Sequence, residues 1–388
     1  EQQKGTIIDM FNMFSGGALS NASLLALGVS PYISASIVIQ LMSHMYPPLK
    51  ELRQQGSSGQ RKISQYTRYL TLFLALIQGF AISKAVQTQG LTLISSTSFI
   101  LVSTIGLASG ALFMMWLGEQ ITEKGIGNGI SMLIFAGIAV NMPSSIASLV
   151  EEAKKSGDFG KFFLSIAIII SLFTLIVFIE CAQRRISIHY AKQSKGFMSL
   201  SAQQREYLPL KINMASVIPA IFASAILGQV SGVIGRYSSD IATGFSQGNW
   251  LYIAVFTLLI ILFSFFYTAM MFENRELADN LKKSNAFIQG FRPGRQTADY
   301  LDMVQERLTL VGAIYVAFVC VLPSLINLGS ASGQILFLFG GTSLLIAVVV
   351  AMDFITQVQS HILSQKYDSL MKKANITGGF GTITNSKL

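Results

Sequence analysis

Nine apolar blocks dominate this chain and leave it few ways to fold. They run at about 22–45, 66–86, 98–118, 129–142, 162–180, 213–229, 251–271, 309–327 and 335–352. About 20 apolar residues with few charges suffice to cross the hydrocarbon core of a bilayer. Inside lipid every backbone amide must find its partner within its own segment, so each block is expected to be an α-helix. Charged residues make up only 12% of the 388 while 51% are hydrophobic. Soluble domains carry about 25% charged residues, which excludes that class. The expected fold class is therefore all-α, a polytopic integral membrane protein.

Charge placement orients the blocks. Of the 28 Lys and Arg residues, 22 lie in the connections 46–68, 119–128, 184–211 and 272–308 and in the tail from 361 onward. The remaining six, Lys4, Lys84, Lys154, Lys155, Lys161 and Arg236, lie on the opposite side. Positively charged loops stay cytoplasmic, so the C-terminus is expected inside the cell and Glu1 outside. The net charge of +9 is then largely a topology signal and does not require nucleic-acid binding.

Catalytic signatures are missing. The sequence contains no Cys/His cluster, and His44, His189 and His361 are isolated, so neither a metal site nor a cofactor is expected. Cys181 and Cys320 read as small buried hydrophobes. P-loop, HExxH and GxSxG strings are missing too, and no enzymatic activity is expected. Ion-coupled transporters place ionisable groups inside their spans. Here Glu119, Glu180 and Asp353 sit near the cytoplasmic ends of theirs. A secondary transporter that binds ions through broken helices stays open as an alternative.

The first block is itself interrupted. An amphipathic piece from Thr6 to Phe14 is followed by Ser15-Gly16-Gly17, and Ser30-Pro31 precedes a clean apolar run from Tyr32. Gly-Gly permits a sharp reversal and Pro suits a first helical turn. Two readings follow. Either a half-helix is tucked beside a water-filled cavity, or the block is one Pro-kinked helix packed on its neighbours. The short, Gly-flanked block 129–142 points to a cavity in the same way.

The strings MFSGGALS, SPYISASIVIQLM, RKISQYTRY, TEKGIGNGISMLIFAGI, LPLKINMASVIPAIFAS, ELADNLKKSNAFIQGFRPGRQTADYL and FGGTSLLIAVVVAMD occur in that order. They resemble the SecY family, the channel subunits of the bacterial Sec translocon, over about residues 1 to 372. The resemblance implies ten helices arranged as a clamshell of two halves. This chain matches the second to the tenth, so the first is expected to precede Glu1. It also implies an N-terminal half over 1–148, a C-terminal half over 149–360 and a cytoplasmic tail over 361–388. The sequence departs from the family pattern at Glu273-Asn274-Arg275-Glu276 and at Ile288-Gln289-Gly290, both in a cytoplasmic loop.

The same resemblance implies roles for individual residues. A plug closing the outer funnel maps to Ile7, Ile8, Met10, Phe11, Phe14, Gly16 and Gly17. A constricting ring of aliphatic side chains maps to Ile33, Ile37, Ile134, Ile221 and Ile346. Ile33 and Ile37, four apart, share a helix face, and an apolar constriction blocks ions by dewetting. A lateral gate toward lipid maps to the helices at 32–45 and 213–229, with Ser34, Ser36, Gln40, Ser216 and Ser224 along the seam. Polar contacts between helices in a membrane average only about 0.6 kcal/mol, so such a seam can part.

Arg275, Lys282, Lys283, Arg292 and Arg295 map to a docking surface for partners. The partners implied are the motor ATPase SecA, the ribosome, the small membrane subunits SecE and SecG, the unfolded secretory and membrane proteins that serve as substrate, and the lipid bilayer. The resemblance thus implies a protein-conducting channel of the bacterial inner membrane that passes unfolded chains outward and releases hydrophobic segments sideways. An accessory translocase of the same type, serving a narrow substrate set, is the alternative within the family.

Overall fold

Among the described residues, each of the nine apolar blocks contributes a helix. The computed structural model describes residues 23–88, 96–156, 159–190, 206–237, 249–272, 274–329 and 341–378. The nine helices are α1 (Ser30–Met45), α3 (Ser57–Thr88), α4 (Ser96–Lys124), α5 (Gly129–Ser156), α6 (Phe159–Cys181), α7 (Ile218–Tyr237), α8 (Trp250–Met271), α10 (Arg295–Gly329) and α11 (Gly341–Gly378). Two short helices, α2 (Pro47–Gln54) and α9 (Asn274–Lys283), lie in the basic connections. Among the described residues, four helical stretches are long and apolar enough to cross a membrane by length and composition: Thr97–Lys124, Trp250–Lys283, Arg295–Pro323 and Gly341–Lys366. Gly129–Ser144, Ile166–Cys181 and Ile218–Gly228 are shorter apolar helical segments.

The first block breaks as its Pro predicts. Residues 24–29 form a turn, and α1 starts at Ser30 with Pro31 in its first turn, where the missing N–H costs no hydrogen bond. The block at 129–142 does not stop there: α5 continues through Pro143 to Ser156. Neighbouring helices tolerate a Pro inside a membrane helix by re-satisfying the freed carbonyl.

The helices are apolar on both sides. On α6, Leu172 and Ile176 are buried whereas Phe163, Phe173 and Phe178 are exposed. On α8, Phe256 and Ile260 are buried and Leu258 and Leu262 exposed. A soluble helix would carry charge on the outer face. Apolar rows of this extent mark a lipid-facing surface.

Helices α1, α3, α4 and α5 pack against one another, as do α7, α8, α10 and α11, with α6 against α11. Among the described residues the two groups meet chiefly through three helix pairs: α1 with α7, α5 with α11, and α5 with α6. Both groups share one apolar core running through α1, α5, α6, α7, α8, α10 and α11. A smaller core, with Leu27, Ala75, Leu107 and Ala111, closes α3 and α4 over the turn before α1.

Close approach between α4 and α5 depends on glycine. Gly127 has a φ of +91°, Asn128 Oδ1 accepts the N–H of Ile130 at 3.1 Å and so caps α5, and Thr122 Oγ1 accepts the N–H of Gly129 at 2.8 Å. A Cβ on Gly129 would lie 2.0 Å from the Gly118 carbonyl oxygen. Gly129→Val is therefore expected to push the two helices apart and to cost about 1–3 kcal/mol, as overpacking does. The check is a lower midpoint of thermal unfolding for the purified protein in detergent.

The basic connections hold the one sheet among the described residues, an addition to the all-helical reading. Strands β1 (Gln183–Tyr190), β2 (Glu206–Lys211) and β3 (Ala286–Ile288) pair antiparallel in the order β2-β1-β3. Ile188 faces both Glu206 and Ile288 in register. Ile186, Ile288 and Leu301 are buried together beneath the sheet, with Leu208, Leu277 and Tyr300 against them. Two connections far apart in sequence thus become one folded unit with its own small core.

Candidate pore, gate and docking surface

The five isoleucines mapped to a constriction come from four helices and meet in one cluster. Ile37 on α1, Ile134 on α5 and Ile346 on α11 are buried in it, and Ile33 on α1 and Ile221 on α7 pack against it. Ile346 is the most enclosed of the three buried ones, with 1% of its surface exposed. It stands in an apolar run on α11 in which Leu344, Leu345, Ala347, Val348 and Val349 are also buried. The cluster joins the two helix groups at the points where they touch. An apolar cluster of this kind is held by dispersion and water exclusion, with no hydrogen bonds between its side chains to break.

Helices α1 and α7 pack side by side. Both feed the shared apolar core, α1 through Ile37 with Val29 just before it, and α7 through Ala220, Ala223 and Leu227. Ser34 and Ser224 are buried; Ser34 Oγ donates to the Ser30 carbonyl at 3.2 Å and Ser224 Oγ to the Ile221 carbonyl at 2.9 Å. Ser36 and Gln40 are half-buried on α1, and the Gln40 carbonyl accepts from Ser43 Oγ at 2.8 Å. Ser216 lies in the turn before α7, not on it, with a φ of 55° that is unusual for a residue with a side chain.

A cavity of about 900 Å³ is lined by residues from the end of α1 and from α9. Ser43, His44, Lys50 and Arg53 line one wall, and Met214, Met270, Met271 and Gln305 the other. Its lining comes largely from the basic connections, with Lys50, Arg53, Leu208, Pro209, Leu210 and Glu276 among it.

The basic unit is fixed firmly and presents its charges outward. Asn274 is buried where α8 passes into α9; its Nδ2 donates to Asp302 Oδ1 at 2.6 Å and also to Gln305 Oε1, while Gln305 Nε2 donates to the Thr268 carbonyl at 3.1 Å. The tip after β3 turns on Gly290 (φ +90°) and Gly294 (φ +109°). The Phe291 ring stacks on Tyr300 at 4.2 Å, and the Phe287 ring lies 5.9 Å from His189. The Arg292 N–H donates to Gln296 Oε1 at 3.4 Å and its carbonyl accepts from Thr297 Oγ1 at 2.9 Å. The backbone at Arg292 is thus pinned while its side chain is exposed. Arg275, Lys282, Lys283 and Arg295 are exposed as well. Among the described residues none of these five makes an ion pair, whereas Arg68 pairs with Glu119 at 2.9 Å and Lys211 with Asp353 at 3.1 Å.

The SecY family model matches residues 23–355. The chain belongs to the SecY family. Protein translocase subunit SecY of Vibrio cholerae is 51% identical over 97% of this chain and 87% of its own length. The chain also superposes on a protein-conducting channel with a TM-score of 0.66 at 17% identity, covering 94% of both chains. Sec61 of the canine ribosome-channel complex from the endoplasmic reticulum gives 0.62 at 17% identity, again over 94% of both. SecY-family membership and the lipid-facing helices together make this a multi-pass membrane protein.

Seen from the family, three of the four mapped groups lie on described residues. The plug residues Ile7, Ile8, Met10, Phe11, Phe14, Gly16 and Gly17 lie outside the described residues. Cys181, expected as a buried hydrophobe, is exposed at the end of α6, while Cys320 is buried. Sequence reasoning passed over three polar residues that the fold buries, Glu180, Asn213 and Asn274. The available signal was a polar side chain within a residue or a few of an apolar block's end, a place where water usually suffices as partner.

Proposed function

We infer that this chain is the protein-conducting subunit of a translocation channel in the bacterial inner membrane. It passes unfolded polypeptide outward through a constriction formed by Ile33, Ile37, Ile134, Ile221 and Ile346. The convergence of these five residues, from both helix groups, in one buried apolar cluster carries the reading. Aliphatic side chains without fixed polar partners close against ions and water by dewetting, and part around a chain of any sequence without offering it a binding site. The first helix group, through α5, and the second, from α6 to α11, act as the two jaws. Hydrophobic segments leave between α1 and α7, where the seam is apolar and joined to little else. The test is translocation of a precursor into vesicles reconstituted with the complex, beside resting ion conductance. A chain that moves a small solute and no precursor would overturn the reading.

Energy comes from partners. The pinned tip at Arg292, with unpaired cations at Arg275, Lys282, Lys283 and Arg295, is a docking surface for the motor ATPase SecA and for the ribosome. The resemblance to Sec61, a channel in a ribosome complex, supports the ribosome as one of them. SecE and SecG are the expected membrane companions. The positive-inside bias, 22 cations against six, supports a cytoplasmic C-terminus and a cytoplasmic position for this surface.

The segment Thr6 to Phe14 serves as a plug on the outer side. Deleting it is expected to raise the resting ion leak several-fold in reconstituted vesicles while leaving translocation largely intact, because the isoleucine constriction remains as a second barrier. A deleted channel as tight as its parent would remove the sealing role.

A further inference from the structure

The strand that feeds α7 is moored at three points to its own half of the molecule. Lys211 Nζ reaches Asp353 Oδ1 on α11 at 3.1 Å. The Ile212 N–H donates to the Ala182 carbonyl at 3.2 Å, just past α6. Asn213 Nδ2 donates to Glu180 Oε1 at 2.6 Å and to the Ser216 carbonyl at 3.2 Å. Gly312 on α10 leaves room for this strand: a Cβ there would stand 3.0 Å from the Ile212 carbonyl oxygen and 3.4 Å from Asn213 Cα.

Two of these features are expensive to keep. Glu180 and Asn213 are only 6% and 3% exposed, and a buried carboxylate is tolerated only while a donor holds it. Ser216 occupies a φ of 55°, a region that residues with a Cβ leave when nothing constrains them. Asn213 links the two: one amide nitrogen satisfies the carboxylate and also grips the carbonyl of the strained residue. An apolar contact would fix α7 at less cost, but it could not be released by the loss of one bond.

We propose that Glu180 and Asn213 form a latch that holds the N-terminus of α7 in the closed-gate position, with Ser216 as the strained hinge it restrains. The proposal rests on the reading of α1 and α7 as the gate. Once Asn213 lets go, Ser216 relaxes toward negative φ and re-aims the first turn of α7 away from α1. Glu180 and Asn213 are positioning residues; neither need touch the translocating chain.

The experiment uses the full-length protein with its membrane subunits in vesicles, in a Cys181→Ala, Cys320→Ala background. Spin labels at Val38 on α1 and Val230 on α7 report the gate distance. In parallel, vesicles are given a precursor with an intact signal carrying a photo-crosslinker and one with a defective signal. A bond to a charged partner is worth about tenfold in an equilibrium constant. Asn213→Ala and Glu180→Ala are therefore each expected to raise the long-distance population about tenfold and to increase export of the defective precursor. Glu180→Gln keeps an acceptor for Asn213 and preserves shape, so it should shift the distance less. Ser216→Gly, which removes the strain, should lower the open population in the Asn213→Ala background. The double variant Glu180→Gln, Asn213→Asp restores the bond with donor and acceptor exchanged but not the grip on Ser216, so partial recovery is expected. If all variants kept the parent distance while the intact signal still crosslinked to α1 and α7, the latch would be refuted and the gate would stand. A parent channel whose signal crosslinks to neither helix would overturn the gate, and the latch with it.

Discussion

An Ile346→Asn channel is expected to leak ions at rest and to export precursors whose signals the parent rejects. Ile346 is 1% exposed within the apolar core to which α1, α5, α7 and α11 all contribute. Asn there removes the branched aliphatic volume and introduces an amide with no partner among aliphatic neighbours. Loss of a buried aliphatic side chain costs about 2–5 kcal/mol, and an unsatisfied buried polar group about 1–3 kcal/mol more. The closed state bears nearly all of that cost, because an open channel hydrates the amide. An equilibrium shift of tenfold per 1.4 kcal/mol makes a change of at least two orders of magnitude in open probability the expected scale. Ile37→Asn should act in the same direction, since Ile37 is buried in the same cluster. Single-channel recording in planar bilayers measures the leak, and translocation of a signal-defective precursor measures selectivity. Parent values for both would remove Ile346 from the constriction.

The second large effect is expected at Arg292. If its charge served topology alone, Lys would replace it without loss, because the positive-inside rule counts the two alike. A docking role demands more. Its backbone is held on both sides, by Gln296 and Thr297, and the adjacent Phe291 ring is stacked on Tyr300, so the guanidinium projects from a fixed point. Planar guanidinium forks pair with carboxylate or phosphate in a way an ammonium does not. Both Arg292→Lys and Arg292→Glu should fold and insert normally, since the side chain makes no ion pair within the described residues. Arg292→Glu is expected to reduce SecA-driven export by about 100-fold or more, as charge reversal at an interface hot spot does, and Arg292→Lys to impair it less. Cysteine accessibility reports orientation, and uptake of a radiolabelled precursor into vesicles reports export. Full export by a correctly oriented Arg292→Glu channel would leave topology as the whole explanation of this charge.

The helices were legible because lipid simplifies the problem. With no water at membrane depth, an apolar block has one backbone solution, and among the described residues all nine blocks contribute helices. The break before α1 was legible through Pro31. The likeness to the SecY family reached the five isoleucines through motifs. Nothing in their spacing told Ile346 from Ile335, another aliphatic residue in the same block.

What the chain order hid was every feature built between distant segments. The sheet joins strands at 183–190, 206–211 and 286–288, each too short or too charged to stand out beside the apolar blocks. Its pairing depends on a core with Leu301, far along the chain. Glu180 and Asn213 looked like ordinary polar residues at the ends of helices, because a carboxylate near a cytoplasmic boundary usually meets water. Only the packing of α10 over that corner, through Gly312, seals them in together and turns a solvated pair into a buried bond. The sequence by itself thus determined which segments become apolar helices, since that follows from local apolarity. The tertiary structure decided which side chains share a site, because that depends on contacts between segments separated along the chain, by 33 positions for Glu180 and Asn213 and by 142 for Lys211 and Asp353.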